Sequence, residues 1–407
     1  MFLQKTVTEA ARGRVGLTRI WLHLRLFTLL CAVVAGALFT ETEIERAVAA
    51  WPPSEPYTRW LGRVVLAPFD RWDAEYYINI VTRGYRADDG TAAFHPLFAW
   101  LSAPVAWLTG SPLFGLLLIS SLAGLFSYHA FERLAALDQN PETARTSTLL
   151  YAFFPSSFVL FIPYTESLVL LWGILCFLCA RRGRWWLAGL TGGLAALTKQ
   201  QGVFLALPLV WELWEAAGRD WREALRRWRD WAALVLIPVG LLVWLVYRTI
   251  ALDDFRPDFT SFNSFVYTTI LSPSSQKVVG DQGFMWPWKA TWLAFKSAMH
   301  FQRLDTWLTL LLGFAFVPLA ALAWKHLRTS YRLYVLLIFL VTFSYHTGMN
   351  NTSGAYISLP RHLLLAFPLF IGLGARCDAR LRPFIVGIGL FGIAFLLFGH
   401  ISRLILT

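Results

Sequence analysis

Phe69-Asp70-Arg71-Trp72-Asp73-Ala74-Glu75-Tyr76-Tyr77, followed by Gly84-Tyr85 and by Ala93-Phe94-His95-Pro96-Leu97-Phe98, is the first long hydrophilic segment of an otherwise apolar chain. It gathers acids, aromatics and a histidine between runs of helix-length hydrophobic sequence. Hydrophobic residues make up 57% of the 407 and charged residues only 15%, and the mean hydropathy is +0.51. Those values exclude a soluble globular protein. In lipid every backbone N–H and C=O must be paired within the chain, so long apolar runs of this kind read as membrane helices.

The remaining composition narrows the function. A net charge of +11 would suggest nucleic acid in a soluble domain. Here the arginines stand between apolar spans, where they orient the chain, and no basic stripe with stacking aromatics lies outside the membrane, so no nucleic-acid partner is expected. Twenty tryptophans suit interfacial belts. Cys31, Cys176, Cys179 and Cys377 lie in or at the ends of apolar runs; Cys176 and Cys179 have CxxC spacing without a second pair, so all four read as buried spectators.

Charge bias sets the topology. Lys5, Arg12, Arg14, Arg19 and Arg25 precede the apolar run 26–40 and predict an uncleaved first helix with a cytoplasmic N-terminus. If 94–108 and 112–134 both crossed, the charged loop 135–145 and Arg181-Arg182-Gly183-Arg184 would fall outside, against the positive-inside bias. The stretch 94–108, with Pro96 and Pro104, is therefore read as lying along or dipping into the outer face. Further crossings are expected at 112–134, 146–162, 165–181, 230–250, 306–324, 331–346, 361–375 and 383–400. Residues 185–215 read as two short helices about a polar hinge, Lys199-Gln200-Gln201-Gly202, near the outer face.

The expected fold is an all-α, multi-pass bundle of about eleven helices, two of them short, in a bacterial-type plasma membrane. Residues 1–407 form one polytopic domain, with a first extracytoplasmic loop at 41–111 and a second large one at 251–305. The unusual residues then sort to the outer face: Asp73, Glu75 and His95, Tyr164-Thr165-Glu166-Ser167, Lys199, and Arg361-His362. Converging ionisable groups at a membrane boundary point to a functional site.

No phosphate-binding glycine loop, dinucleotide fingerprint or HExxH helix is present, and there is no room for a soluble catalytic domain. An enzyme acting at the outer face needs an activated donor that arrives through the lipid, such as a polyprenyl-phosphate sugar. Displacing a lipid phosphate from a sugar requires a carboxylate to take the hydroxyl proton and a cation to stabilise the leaving phosphate. Asp73 and Arg361 are the natural pair.

Each residue also has a plainer reading. Asp73 could pair with Arg71 or Arg83, Asp70 could be solvated or cap a helix, and Glu75 could be an exposed carboxylate. Glu166 could form a structural salt bridge, Lys199 could snorkel to the interface, and Arg361 could pair with a carboxylate. His95 could be a hydrogen-bonded structural histidine, and a metal site of His95, His346 and His362 is a remote alternative. Asp253-Asp254 reads as a solvated loop start. The sequons at Asn350-Asn351-Thr352-Ser353 carry no meaning in a prokaryote, and Phe284-Met285-Trp286-Pro287-Trp288 is a segment that could cover the cavity or cradle a lipid chain.

The ordered blocks carry a resemblance. Arg71-Trp72-Asp73-Ala74 with Tyr76-Tyr77, Gly84-Tyr85, Ala93 to Phe98, Pro163-Tyr164-Thr165-Glu166-Ser167-Leu168, Leu197-Thr198-Lys199 with Gly202, and Leu359-Pro360-Arg361-His362 with Phe367-Pro368-Leu369-Phe370 resemble the PIG-V family. This is the family of the GPI-anchor second mannosyltransferase and its prokaryotic relatives, within the GT-C superfamily of integral membrane glycosyltransferases. The resemblance implies a GT-C-type bundle and inverting transfer of a sugar, mannose first, from a polyprenyl-phosphate donor to a lipid or glycan acceptor. It implies no cofactor, nucleotide sugar or obligatory metal. Asp73 becomes the catalytic acidic residue of the first outer loop; Arg361, Lys199, Glu166, Tyr164, Arg71, Trp72, His95 and His362 become donor- or substrate-binding residues. His95 stands where an aromatic residue is expected and His362 where a tyrosine is, and a GPI acceptor does not follow.

Two other classes compete. A lipid or sugar flippase would show repeated blocks and midplane charges, and no block here is repeated. A non-catalytic GT-C-like scaffold subunit would not need Asp73 beside an intact Arg361 block.

Overall fold

The structure, a computed structural model, describes residues 16–38, 62–253, 257–261, 264–265, 282–301, 304–347, 356 and 358–402. The expectations for residues 1–15, for 41–61, for Asp254 and the middle of 251–305, and for Asn350-Asn351-Thr352-Ser353 fall outside the described residues.

In chain order the helices are α1 (Leu17–Leu38), α2 (Asp73–Arg83), α3 (Pro96–Thr109), α4 (Pro112–Ala135), α5 (Pro141–Ala152), α6 (Glu166–Arg181), α7 (Trp185–Thr198) and α8 (Ala206–Ala216). They continue as α9 (Trp221–Arg226), α10 (Trp228–Leu252), α11 (Pro287–Phe301), α12 (Leu304–Phe314), α13 (Phe316–Ala323), α14 (Thr329–Ser344), α15 (Leu359–Leu363), α16 (Pro368–Arg376) and α17 (Arg382–Ile401). A short antiparallel pair, β1 (Gln282–Phe284) with β2 (Tyr345–Thr347), is the one sheet among the described residues, with Gly283 opposite His346. Prolines at first-turn positions and side-chain caps set several starts: Ser111 accepts from the Phe114 N–H and Asn140 from the Thr143 N–H.

The all-α multi-spanning class holds, and the number of full crossings is corrected. Among the described residues five helical segments are long and apolar enough to cross: Leu17–Leu38, Pro112–Ala135, Trp228–Leu252, Leu304–His326 and Arg382–Ile401. A sixth follows if Pro155–Phe161 and Glu166–Arg181, bent by 100°, make one broken span. The expected crossing 146–162 is not continuous, because α5 ends at Ala152 and Pro155 opens a tighter 3-10 segment. The expected crossing 361–375 is likewise two short helices, with Pro368 starting the second. The first helix begins at Leu17 rather than 26, so Arg19 and Arg25 lie inside it. Arg25 is tolerated there because its guanidinium donates to the Phe161 carbonyl and lies 5.6 Å from the centre of the Phe69 ring. The expectation for 94–108 agrees with α3, whose 14 residues rise only about 21 Å, short of a bilayer core of about 30 Å.

The chain forms two compact units. The first comprises the chain up to Gly84, Phe98–Ser167 and the chain from Gly374 on; the second comprises Tyr85–Leu97 and Leu168–Leu373. In the first, α17 is pinned at its start by Arg382, which donates to Thr146 Oγ1 at 2.9 Å and to Glu142 Oε1 at 3.2 Å. Its far end carries His400 and Ile401, both buried.

In the second unit α7 and α10 touch backbone to backbone through Gly189, Gly193 and Gly240, a close approach that only small residues allow. The hinge expected at Lys199 is present: α7 ends at Thr198, Gln200–Leu205 forms a 3-10 turn, and α8 returns. A Cβ on Gly202 would overlap the Ala195–Ala196 peptide. Gly202→Ala is expected to lower stability by about 1–3 kcal/mol, read as a drop in the unfolding midpoint of purified protein in detergent. At the other end of this unit Glu212, only 4% exposed, binds Arg181, Arg328 and Ser330, while Glu215 pairs with Arg328 at 2.6 Å. Those residues all belong to helix ends that charge bias assigns to the cytoplasmic side.

Candidate functional site

The residues singled out from the sequence form two clusters, each within one unit. In the first unit the cluster is built on the turn ahead of α2. A 3-10 turn, Ala67–Phe69, ends at Asp70, and Arg71 then clamps the chain. Its Nε donates to the Ile401 carbonyl at 3.1 Å, and its Nη1 donates to the carbonyls of Ala67 at 3.1 Å and Asp70 at 2.7 Å. Trp72 follows with φ +56° and ψ −119°, a region that costs a non-glycine residue about 1–3 kcal/mol. Its indole N–H donates to the His400 carbonyl at 3.4 Å. The strained residue redirects the chain so that Asp73 opens α2, half-buried, with Glu75 in the same turn. Both acids therefore sit at the positive end of the helix dipole.

Arg71 and Trp72, offered by the sequence pattern as donor-binding residues, donate these hydrogen bonds to backbone carbonyls, which straps the turn that carries Asp73. Asp70 is 5% exposed and so not a solvated acid, and Glu75 is half-buried rather than exposed.

His400 links this turn to the second block of the first unit. Tyr164 meets the His400 ring edge-on at 5.5 Å, and Phe158 lies 5.8 Å from it. Tyr164, Thr165, Glu166 and Ser167 are all buried, with Glu166 at 0% exposure as the first residue of α6. A carboxylate at such depth is costly unless its charge is met by the fold or a substrate.

The second cluster is organised by Lys199 at the hinge. Gly84, at φ +78°, ends α2. The loop behind it is closed by Tyr85, whose hydroxyl donates to the Phe94 carbonyl at 3.0 Å, and by Thr91, which accepts from the Arg86 N–H at 2.9 Å. Closing that loop fixes His95, 7% exposed, with Nδ1 donating to the Ala196 carbonyl at 2.9 Å. Tyr85 packs 4.7 Å from Trp244, and Trp244 packs 6.0 Å from His95 and stacks on Tyr247 at 5.6 Å. Burial pushes the His95 imidazole down to about 3, with the nearby Arg248 and Lys199 charges acting in the same direction. Lys199 and Arg361 act on His362 as well. Arg361, 8% exposed, is held in α15 behind Ser358, which has left-handed backbone at φ +58°.

The shifted histidine has a consequence for stability. Between pH 6.5 and about 3 the unfolded chain binds a proton at His95 that the folded chain does not. Stability must therefore fall as pH drops through that window, by up to about 1.4 kcal/mol per pH unit. The unfolding midpoint of wild type should decline more steeply from pH 6.5 to 4 than that of His95→Gln.

Arg248 and His400 are site residues that sequence reading missed. Arg248, 2% exposed, is an arginine near the end of a long apolar helix, and that placement was a usable signal. His400 offered none, since its role depends on contacts with segments far away in sequence. Asp253 is an exposed residue just past α10, as expected of a loop start. Among the described residues no three His, Cys, Asp or Glu side chains gather as a metal site requires, so His95, His346 and His362 do not form one. All four cysteines are free thiols. An apolar cavity of about 610 Å³ in the second unit is lined by Trp288, Trp292, Phe295, Phe314, Leu336 and Phe343.

Comparison with known proteins finds similarity to two mannosyltransferases. The chain is 26% identical over 162 residues to GPI mannosyltransferase 2 of Yarrowia lipolytica, covering 39% of this chain and 43% of that protein. It is 30% identical over 238 residues to GPI alpha-1,6-mannosyltransferase 2 of Rattus norvegicus, covering 54% of this chain and 45% of that protein. The chain thus spans less than half the length of the curated relatives it matches. No family model matches. Among solved structures it is similar to ArnT from Cupriavidus metallidurans bound to undecaprenyl phosphate, with a TM-score of 0.46 and 17% identity over 81% of this chain and 58% of that one. The apo form of the same protein gives a TM-score of 0.42 at 16% identity, over 81% and 57%.

Proposed function

We propose that this chain is a GT-C-type membrane glycosyltransferase that transfers a sugar, mannose as the first choice, from a polyprenyl-phosphate donor to a lipid or glycan acceptor at the extracytoplasmic face. The observation that carries this reading is that the charges of Lys199 and Arg248 reach His95 and those of Lys199 and Arg361 reach His362, with Arg248 and Arg361 both buried. Buried cations grouped in this way suit a phosphate that enters from the lipid. The similarity to two mannosyltransferases adds support.

In the reaction the acceptor hydroxyl gives its proton to the Asp73 carboxylate as its oxygen attacks the anomeric carbon. The bond from that carbon to the phosphate oxygen breaks with inversion, and the polyprenyl phosphate leaves with its charge balanced by Lys199 and Arg361, with Arg248 beside them. Asp73 suits the role of base because it is half-buried and its turn is held by the Arg71 and Trp72 straps. Glu166 and Tyr164 would serve the acceptor side, and the apolar cavity would suit the lipid chain.

The test uses the full chain in lipid nanodiscs with polyprenyl-phosphate-[radiolabelled mannose] and a membrane extract as acceptor. Label passing to the acceptor establishes the transferase. Donor crossing the bilayer of proteoliposomes without transfer would instead make the chain a flippase. Neither transfer nor movement with mannosyl and glucosyl donors would overturn the reading.

A further inference from the structure

The hydrogen bond between His95 and Ala196 settles more than the position of the ring. A carbonyl only accepts, so the His95 proton sits on Nδ1, and Nε2 carries the lone pair. The bond is built into the fold, since Gly202 lets the hinge press against the Ala195–Ala196 peptide and Trp244 packs beside the imidazole. His95 is therefore a fixed, uncharged acceptor of hydrogen bonds.

What it can accept from follows from its neighbours. A phosphate ester ionised at neutral pH has no proton to give, so it cannot satisfy Nε2. An ammonium group would be repelled by Lys199 and Arg248, whose charges reach His95. Of the groups that a sugar joined to a phosphate carries, the neutral hydroxyls remain.

Two further buried polar atoms of the second unit can meet the same ligand. The Gln201 side-chain oxygen, on a residue 8% exposed, and Nδ1 of His362 have no hydrogen-bond partner among the described residues. Gln201 lies two residues beyond Lys199, and Lys199 acts on His362. A bound hydroxyl can donate to the Gln201 oxygen and either donate to or accept from the His362 nitrogen. A ligand that brings several neutral hydroxyls up to a group of cations is a sugar joined to a phosphate.

We propose that Nε2 of His95 accepts a hydrogen bond from a pyranose hydroxyl, so that His95 reads the sugar beside the cations that hold the phosphate. This rests on the glycosyltransferase reading above and adds a specificity residue to it. The hydroxyl belongs to the donor sugar or to the acceptor sugar, and binding can separate the two.

The experiment measures affinity of the full chain in nanodiscs for undecaprenyl phosphate, for undecaprenyl-phosphate mannose and for octyl α-mannoside. The variants are His95→Asn and His95→Gln. In His95→Asn the side-chain amide lies where Nδ1 was and keeps the bond to Ala196, while nothing reaches the Nε2 position. Gln reaches that position. If His95 holds the donor sugar, His95→Asn weakens undecaprenyl-phosphate mannose about tenfold, the size of one neutral hydrogen bond. Bare undecaprenyl phosphate is then unaffected, and His95→Gln recovers most of the loss. A selective loss of octyl α-mannoside binding moves the contact to the acceptor sugar. If His95→Asn with wild-type thermal stability binds all three probes as wild type does, or weakens both lipids equally, the proposal is overturned. Wild type that neither distinguishes the two lipids nor binds octyl α-mannoside would overturn the glycosyltransferase reading itself.

Discussion

Asp73→Asn is expected to reduce sugar transfer by about 10²–10⁴-fold, the range spanned by a positioned general base, with donor affinity and thermal stability close to wild type. The substitution preserves size and hydrogen-bonding capacity while removing the lone acceptor of the hydroxyl proton. The fold should tolerate it, because the turn is held by Arg71 on Ile401, Ala67 and Asp70 and by Trp72 on His400, not by the Asp73 carboxyl alone. Single-turnover transfer with labelled polyprenyl-phosphate mannose measures the step directly. Equal rates for wild type and variant would remove Asp73 from the chemistry and make Glu166, wholly buried at the start of α6, the next candidate.

Arg361→Gln is expected to lower the rate constant of transfer by about 10²–10³-fold, as loss of one preorganised donor to a leaving oxyanion does elsewhere. The guanidinium is 8% exposed, is fixed in the short α15 and acts on His362 beside Lys199, so few rearrangements could replace it. Arg361→Lys should recover part of the loss, since it restores the charge without the planar fork. The check is the affinity for undecaprenyl phosphate measured together with the transfer rate. A variant that loses stability but binds the lipid phosphate and transfers normally would show that Arg361 serves a structural carboxylate instead.

Much of the candidate site could be read in the sequence because its residues break the apolar pattern. Asp73, His95, Lys199 and Arg361 are conspicuous in a chain with 15% charged residues, and the Lys199–Gly202 interruption showed as a hinge. Other features could not be read locally. That Arg71 and Trp72 donate to the carbonyls of Ile401 and His400, more than three hundred positions away, cannot be read from the sequence around them. Arg25 reads as a flanking charge until the Phe161 carbonyl is found opposite it.

The sequence by itself determined the all-α membrane class, the acid- and aromatic-rich motif at the start of α2 and the polar hinge, because apolar runs, prolines and glycines act on the backbone within a few residues of themselves. Only the tertiary structure decided how Trp72 is held in a strained conformation, which His95 nitrogen carries the proton, and that Arg248 joins the cations. Each of these depends on a partner from a distant segment. The energy of a buried charge or a strained residue is set by what packs against it, and hydropathy along the chain records only the cost of burial.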